Sequence, residues 1–249
     1  MSSMAIGGIT FGCVFGGALL GIFLRRALPG PHLSTESREV VKMGMGLVGT
    51  MAALVLGLLV ASAKSSYDTQ NTEMTDLSAK VVLLDRVLAH YGPETKESRD
   101  LLRSFVVRLM DQTWSKDASI QPEAPTLRGE VLYEKVQALS PKNDEQSSLK
   151  ATALSMVMAL GQTRWLMYEQ RVTSVSTPLL VILILWLTFI FVSYGVFAPA
   201  NATVIASLFV SALSVSGAVF LILEMYAPYA GLIQISSATV RAALAQLGQ

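Results

Sequence analysis

The chain has 249 residues and a mean hydropathy of +0.50, and 15% of its residues are charged, whereas a soluble domain carries about 25%. Its formal net charge is +1, which excludes the basic footprint of a nucleic-acid-binding protein. Its single cysteine, Cys13, excludes an intramolecular disulfide and a cysteine-based metal cluster.

Four long apolar stretches account for the shortage of charge. They are Met4–Leu24, Met43–Ala63, Pro178–Ala198 and Ala202–Met225, and none holds a charged residue before Glu224. About 20 apolar residues cross the hydrocarbon core as a helix, and a backbone in lipid must satisfy its own hydrogen bonds. We therefore predict an all-α integral membrane protein whose four transmembrane helices form two hairpins. Arg25 and Arg26 stand where a signal-cleavage site would be expected, so the first span is predicted to be retained.

A polar helical insert separates the second span from the third. Apolar residues recur there at steps of four and three, as in a heptad pattern: Leu77, Val81, Leu84, Leu88 and Tyr91. No proline or glycine lies between Ala61 and Tyr91, so the second span is predicted to continue as one helix to the Gly92–Pro93 break.

The rest of the insert is predicted to form a helical bundle. A helix to Trp114 is followed by a loop at Lys116–Arg128, a short helix at Gly129–Leu139 and a long helix from Asn143. The predicted division is an N-terminal transmembrane hairpin (1–63), an extramembrane bundle (64–176), a C-terminal transmembrane hairpin (177–227) and an amphipathic tail (228–249). The tail is expected either to lie along the membrane interface or to pack on the bundle.

Small residues at a spacing of four are the strongest pattern within the spans. The second span carries Gly49, Ala53, Gly57 and Ala61, and the first carries Gly8, Gly12 and Gly16, with Gly17 and Gly21 adjacent. Such faces let helices approach closely, so packing within or between subunits is the favoured interpretation. The alternative is that one face lines a pore in an oligomer.

The fourth span carries hydroxyl groups along one side, at Ser207, Ser211 and Ser214. Membrane hydroxyls usually bond to the carbonyl one turn back or to a neighbouring helix. A water-lined path is the minority alternative.

Five charged residues flank the spans: Arg25, Arg26, Lys64, Arg171 and Glu224. An acid at or near membrane depth is a functional candidate by default, but an interfacial ion pair is the plainest account of Glu224. Lys64 is the favoured partner over Arg171, because its long stem can reach the interface from a similar depth.

No catalytic, cofactor or metal site is expected. The chain has no P-loop, dinucleotide fingerprint, nucleophile elbow or zinc-protease helix, and His32 and His90 lie far apart without partners. The charged residues between Asp85 and Arg108 are expected to form mostly a solvated helix surface.

Four strings together resemble the bacterial bestrophin-like family of unknown function. They are Leu56–Asp68, Leu84–Glu94 with Arg99, Phe197–Asn201, and Glu224–Ile233 with Ser236. An aspartate and a phenylalanine are common in that family where this chain has Tyr226 and Tyr229. The resemblance implies a bacterial cytoplasmic-membrane protein distantly related to bestrophin anion channels, which are oligomers with a pore on the symmetry axis and a cytosolic helical domain.

The expected function is that of an oligomeric channel in the lipid bilayer, passing inorganic anions. Lys64 at one face, and Arg25 and Arg26 at the other, would raise the local anion concentration. The rival is a non-conducting scaffold or signalling protein whose bundle binds a partner, and an enzyme is a distant third. Basic residues near the spans give no clear orientation; the resemblance favours a cytoplasmic bundle.

Overall fold

The structure, a computed structural model, describes residues 2–114, 126–172 and 176–248. In these ranges the regular elements are all helical, in agreement with the predicted class. The helices are α1 (Ser3–Ala27), α2 (Thr35–Tyr91), α3 (Lys96–Trp114), α4 (Thr126–Gln137), α5 (Asp144–Val172), α6 (Thr177–Phe197), α7 (Ala202–Met225) and α8 (Ala238–Gln246). Short 3₁₀ turns occur at Gly30–Leu33 and Pro93–Thr95.

Four of these helices, α1, α2, α6 and α7, are long and apolar enough to cross a membrane. The prediction that the second span continues without interruption is confirmed, since α2 runs for 57 residues from Thr35 to Tyr91. It begins eight residues before the apolar stretch, because the polar segment from Thr35 to Lys42 contains no helix breaker.

The chain divides into two compact units. The first unit comprises Met1–Tyr67 and Ser174–Ala227, and the second comprises Asp68–Thr173 and Pro228–Gln249. Each has its own apolar core, and α2 contributes residues to both.

Glycines bring α1 against α6 and α7 in the first unit. The buried face of α1 is Gly7, Thr10, Val14, Gly17, Ala18 and Gly21. A Cβ on Gly21 would overlap the carbonyl of Val192, and a Cβ on Gly195 would overlap the carbonyl of Ala18. The two backbones therefore touch where neither helix carries a side chain.

This contact differs from the small face singled out in the sequence. A Cβ on Gly8, Gly12 or Gly16 would meet nothing within 4 Å, so those glycines are open in the first unit. The open glycines and the packed pair, Gly17 and Gly21, both have the spacing of a helix face. Gly195 on α6 lies against the second set, and this contact decides which face of α1 is packed.

The core of the second unit is built on the predicted heptad stripe. Leu77, Val81, Leu84 and Leu88 are fully buried, and they cluster with Leu102, Val106 and Val136 from α3 and α4. At the end of α2, Gly92 has φ +133°, a region that a side chain rarely adopts. The Thr95 hydroxyl donates to the Leu88 carbonyl at 2.6 Å, which closes the turn into α3.

The remaining boundaries differ in detail from the predictions. The predicted helix Gly129–Leu139 occurs at Thr126–Gln137, and most of the predicted loop Lys116–Arg128 lies outside the described residues. In the described part of the C-terminal tail, up to residue 248, the helical segment is Ala238–Gln246. Val240 and Leu247 belong to the core of the second unit, so the tail packs on the bundle.

Candidate functional site

The small face of α2 lies largely on the outside of the first unit. The helix packs inward through Ala52, Leu59 and Ala63, which are buried. By contrast Ala53, Gly57 and Ala61 are exposed, and Gly49 is half-buried. A Cβ on Gly57 would meet no described atom within 4 Å. Among the described residues nothing packs on this face, which leaves it open to lipid or to a second copy of the chain.

The hydroxyl face of α7 is also on the outside. Ser207, Ser211 and Ser214 are all exposed, and the Ser214 hydroxyl donates to the Val210 carbonyl at 2.9 Å. Ser216, which sequence reasoning did not single out, is buried and donates to the Ala212 carbonyl at 2.8 Å. The exposed hydroxyls are polar groups on a surface that otherwise displays Phe209, Val210 and Leu213.

The two arginines after the first span have different surroundings. The Arg25 guanidinium donates to the Ala198 carbonyl, the C-cap residue of α6. A cation is favourable at that end of a helix, where carbonyl groups lack partners. Arg26 is exposed. Arg25 therefore has a structural role, capping α6, besides the attraction of anions expected of both.

Glu224 lies in the last turn of α7 and is 5% exposed. Two residues further on, the Tyr226 hydroxyl donates to Ser62 Oγ at 2.9 Å, which brings the end of α7 beside the turn of α2 that contains Lys64. The Lys64 ammonium lies 5.6 Å from the centroid of the Tyr67 ring. Pairing of Lys64 with Glu224 stays a prediction; the side chain of Arg171 lies outside the described residues.

Asp85 and Arg99 form a buried ion pair in the second unit, where a solvated surface was expected. The Arg99 Nε donates to Asp85 Oδ1 and its Nη2 donates to Oδ2, each at 2.8 Å. The Asp85 side chain is 2% exposed and that of Arg99 is 23% exposed. The expectation was wrong for Asp85, and the missed signal was its position: Asp85 follows Val81 by four residues and precedes Leu88 by three, so it belongs to the buried stripe.

The environment of Asp85 favours its charged form. Burial alone would raise the pKa of this carboxyl, but the hydrogen bond from Arg99, assisted by the Gly248 amide and by the charges of Arg99 and Arg86, lowers it below the usual 3.8. The Gly248 N–H donates to Asp85 Oδ2 at 3.2 Å. The carboxylate therefore accepts hydrogen bonds from α3 and from the C-terminal segment at once.

Two other contacts hold the C-terminal segment against α3. The Arg103 Nη1 donates to the Leu247 carbonyl at 3.1 Å, and the Trp114 indole donates to the Ile235 carbonyl at 2.9 Å. The Trp114 ring also meets the Tyr229 ring edge to face, with centroids 5.8 Å apart. Tyr229 thus performs the packing that a phenylalanine would perform at this position.

The described residues contain no group of three histidine, cysteine or acidic side chains that could hold a metal ion. The His90 ring contacts the Arg86 carbonyl at 2.7 Å, as part of its own helix surface. The described residues thus offer exposed faces on the apolar helices of the first unit and a buried ion pair, Asp85 with Arg99, in the second.

A bulky residue on the small face of α2 tests whether that face is an interface between subunits. Gly57→Leu is expected to lower the share of oligomer while leaving the first unit folded, because the added side chain meets nothing within its own subunit. Native mass spectrometry of the purified protein measures the share. Leu58→Phe is the control, because Leu58 is exposed on the same helix but lies outside the small face. An unchanged oligomer in Gly57→Leu would place the interface on another face.

A family model described as a bestrophin-like domain matches residues 12–240. The match includes all of α2, α6 and α7, the part of α1 from residue 12 onward, and most of the second unit. No curated protein and no solved structure matched the chain.

Proposed function

Because the chain belongs to the bestrophin-like family, we propose that it is an oligomeric membrane channel for inorganic anions. The resemblance stated from the sequence is confirmed by that match, which covers most of the chain. The family supports a multi-pass, channel-type membrane protein. The proposal adds that the protein conducts, that the conducted ion is an anion, that the membrane is the bacterial inner membrane and that the second unit is cytoplasmic.

One observation carries the proposal: the spans of a single subunit leave polar and small faces uncovered. Ser207, Ser211 and Ser214 on α7, and Ala53 and Gly57 on α2, are exposed. The Ser214 hydroxyl already donates to the Val210 carbonyl, but a hydroxyl oxygen can also accept hydrogen bonds, which lipid chains do not offer. Polar residues in membranes usually face a neighbouring helix or a water-filled cavity. An oligomer would cover the small face and place the hydroxyl face along an aqueous path.

Charge at the span ends supports anions as the conducted species. Arg26 at the end of α1 is exposed, and Lys64 is exposed on the first unit. Cationic side chains at the entrance of a path raise the local concentration of anions and oppose the entry of cations. The serine hydroxyls would then donate hydrogen bonds to a partly dehydrated anion.

Chloride efflux from proteoliposomes tests conduction. The wild-type protein is expected to release chloride faster than protein-free liposomes, and Ser211→Leu is expected to reduce that rate by about tenfold or more, because a bulky apolar side chain narrows and dries the path. Ala206→Leu is the matched control: Ala206 is exposed on α7 but lies well away from Ser211 around the helix.

Each outcome of this assay points to a definite conclusion. Efflux that is equally fast in Ser211→Leu would remove the hydroxyl face from the path. An intact wild-type oligomer that releases no chloride would favour the rival function, a non-conducting scaffold whose second unit binds a partner.

A further inference from the structure

We propose that the second unit carries a peptide-recognition site, filled by the chain's own C-terminal segment, that also accepts the same segment from a second copy. The end of that segment is bound through its backbone. The Gly248 N–H donates to Asp85 Oδ2 at 3.2 Å, and the Leu247 carbonyl accepts from Arg103 Nη1 at 3.1 Å. This N–H and this carbonyl belong to one peptide unit and point in opposite directions. A carboxylate from α2 and a guanidinium from α3 therefore clamp that unit from its two sides.

The two charged side chains of this clamp match the polarity of the peptide unit. The N–H meets a negative group and the carbonyl meets a positive one, so both hydrogen bonds are charge-assisted. Asp85 is itself held by two hydrogen bonds from Arg99, and Arg103 follows Arg99 by about one helical turn on α3. Hydrogen bonds to a main chain supply affinity for a peptide whatever chain it belongs to. The clamp therefore does not require that the bound segment be part of the same copy.

The side chains of the segment supply selectivity. Val240, Ala243 and Leu247 are buried at steps of three and four, as on the inner face of an amphipathic helix. Gly248 has φ +87°, and a Cβ there would meet nothing within 4 Å. Glycine is thus favoured at this position by the backbone conformation and not by lack of space. The site therefore fits a short amphipathic helix that is followed by Leu–Gly.

The way in which the segment is attached permits exchange between copies. Residues 226–237, which connect α7 to α8, lie outside the α-helices. The helix α8 has nine residues, and an isolated helix of that length is not stable in water, so its structure depends on the surface on which it docks. Arg103 and Gly248 are exposed, so the outer part of the clamp can be reached from solvent. A second copy of the chain carries the identical segment on the identical connection.

Fluorescence anisotropy of a labelled peptide of residues 237–249 tests the proposal on the full-length protein in lipid nanodiscs. In Leu247→Asp the charged side chain is excluded from the core, so the chain's own segment leaves the site and the labelled peptide is expected to bind saturably. Wild-type protein is expected to bind the peptide at least about tenfold more weakly, because its own segment competes at a high effective concentration. Protein-free nanodiscs measure uptake by lipid. Equal binding to both proteins, or no saturable binding to folded Leu247→Asp, would overturn the proposal.

Gly248→Pro vacates the clamp without placing a charge in the core, and it replaces Leu247→Asp if that variant does not fold. Proline lacks the N–H that donates to Asp85, and its ring cannot adopt φ +87°. The peptide is expected to bind Gly248→Pro more tightly than it binds the wild-type protein. Equal binding to these two proteins would likewise overturn the proposal.

Changes in the peptide and in the clamp separate specific recognition from general attraction. A peptide carrying Leu247→Asp is expected not to bind. Adding Arg103→Ala to the vacated protein is expected to weaken binding about tenfold, the effect of losing one charged hydrogen bond. Arg108→Ala in the same background is the matched control and is expected to leave binding unchanged, because Arg108 lies about 140° around α3 from Arg103. Equal weakening by the two alanine changes, or retained binding of the altered peptide, would overturn the clamp.

Discussion

Replacing Arg99 by alanine is expected to lower the free energy of unfolding of the second unit by about 3 kcal/mol. The change leaves the Asp85 carboxylate, which is 2% exposed, without the guanidinium that donates to both of its oxygens. The cost lies at the lower end for a broken buried pair because Arg99 itself is partly solvated. Tryptophan fluorescence during denaturation measures it, since Trp114 and Trp165 both belong to this unit.

An exposed ion pair supplies the matched control. Lys135 and Glu97 approach to 2.7 Å, but their side chains are 44% and 67% exposed. Lys135→Ala is therefore expected to change the stability by less than about 1 kcal/mol. The double variant Asp85→Leu with Arg99→Met should recover much of the loss, because apolar residues of similar volume leave no buried charge. Equal effects of Arg99→Ala and Lys135→Ala would show that the buried pair does not stabilise the unit.

The same pair makes stability depend on pH in a definite direction. The pKa of Asp85 is lowered in the folded state relative to its usual 3.8. Folding therefore favours the ionised form, and the stabilisation is fully present above the unfolded-state pKa near 3.8. It is lost as the pH falls below that value and through the lower folded-state pKa. In Asp85→Leu with Arg99→Met this acid-dependent contribution should be missing.

Replacing Gly21 by leucine is expected to prevent stable packing of the first unit, at a cost of about 3 kcal/mol or more. Even a Cβ at this position overlaps the Val192 carbonyl and lies 3.0 Å from the Gly195 Cα, and backbone atoms cannot move aside as a flexible side chain can. The helices α1 and α6 would have to separate along their length. Fluorescence of Trp186 on α6, followed during thermal unfolding in detergent, reports the loss.

Gly16→Leu is the control for this change. Gly16 lies on the same helix within the span, and a Cβ there meets nothing within 4 Å, so the variant should keep the wild-type Tm within a few degrees. A Gly21→Leu protein as stable as Gly16→Leu would mean that α1 and α6 do not approach as closely as the structure has them.

Composition and periodicity predict the large features of this fold for a simple reason. Charge is excluded from about 20 consecutive residues only where a helix must lie in hydrocarbon, so four spans are readable from four gaps in charge. The uninterrupted α2 follows from the absence of proline and glycine between Ala61 and Tyr91, and its end follows from the conformation that Gly92 adopts at φ +133°. These signals are local in the sequence, so reading them does not require knowing which helices pack against each other.

Partner-dependent features were not predictable in the same way. Whether Gly8, Gly12 and Gly16 or Gly17 and Gly21 pack depends on where Gly195 meets α1, and that register is a property of two helices distant in sequence. The burial of Asp85 departs from the expected solvated surface, because a charged residue outside a membrane is usually solvated. Its position beside Val81 and Leu88 indicated burial, but the partner that makes burial tolerable lies 14 residues away on α3.

The second unit needs the C-terminal segment of the chain to complete its core. Val240 and Leu247 belong to its core, and Gly248 binds Asp85, 163 positions earlier in the chain. All of α6 and α7 must emerge from the ribosome before these residues do, a delay on the order of several seconds at 5–20 residues per second. Throughout that interval the nascent bundle lacks its last helix, exposes the apolar surface that α8 will cover, and holds Asp85 with one donor fewer. The second unit can therefore complete its core only after both later spans have been translated.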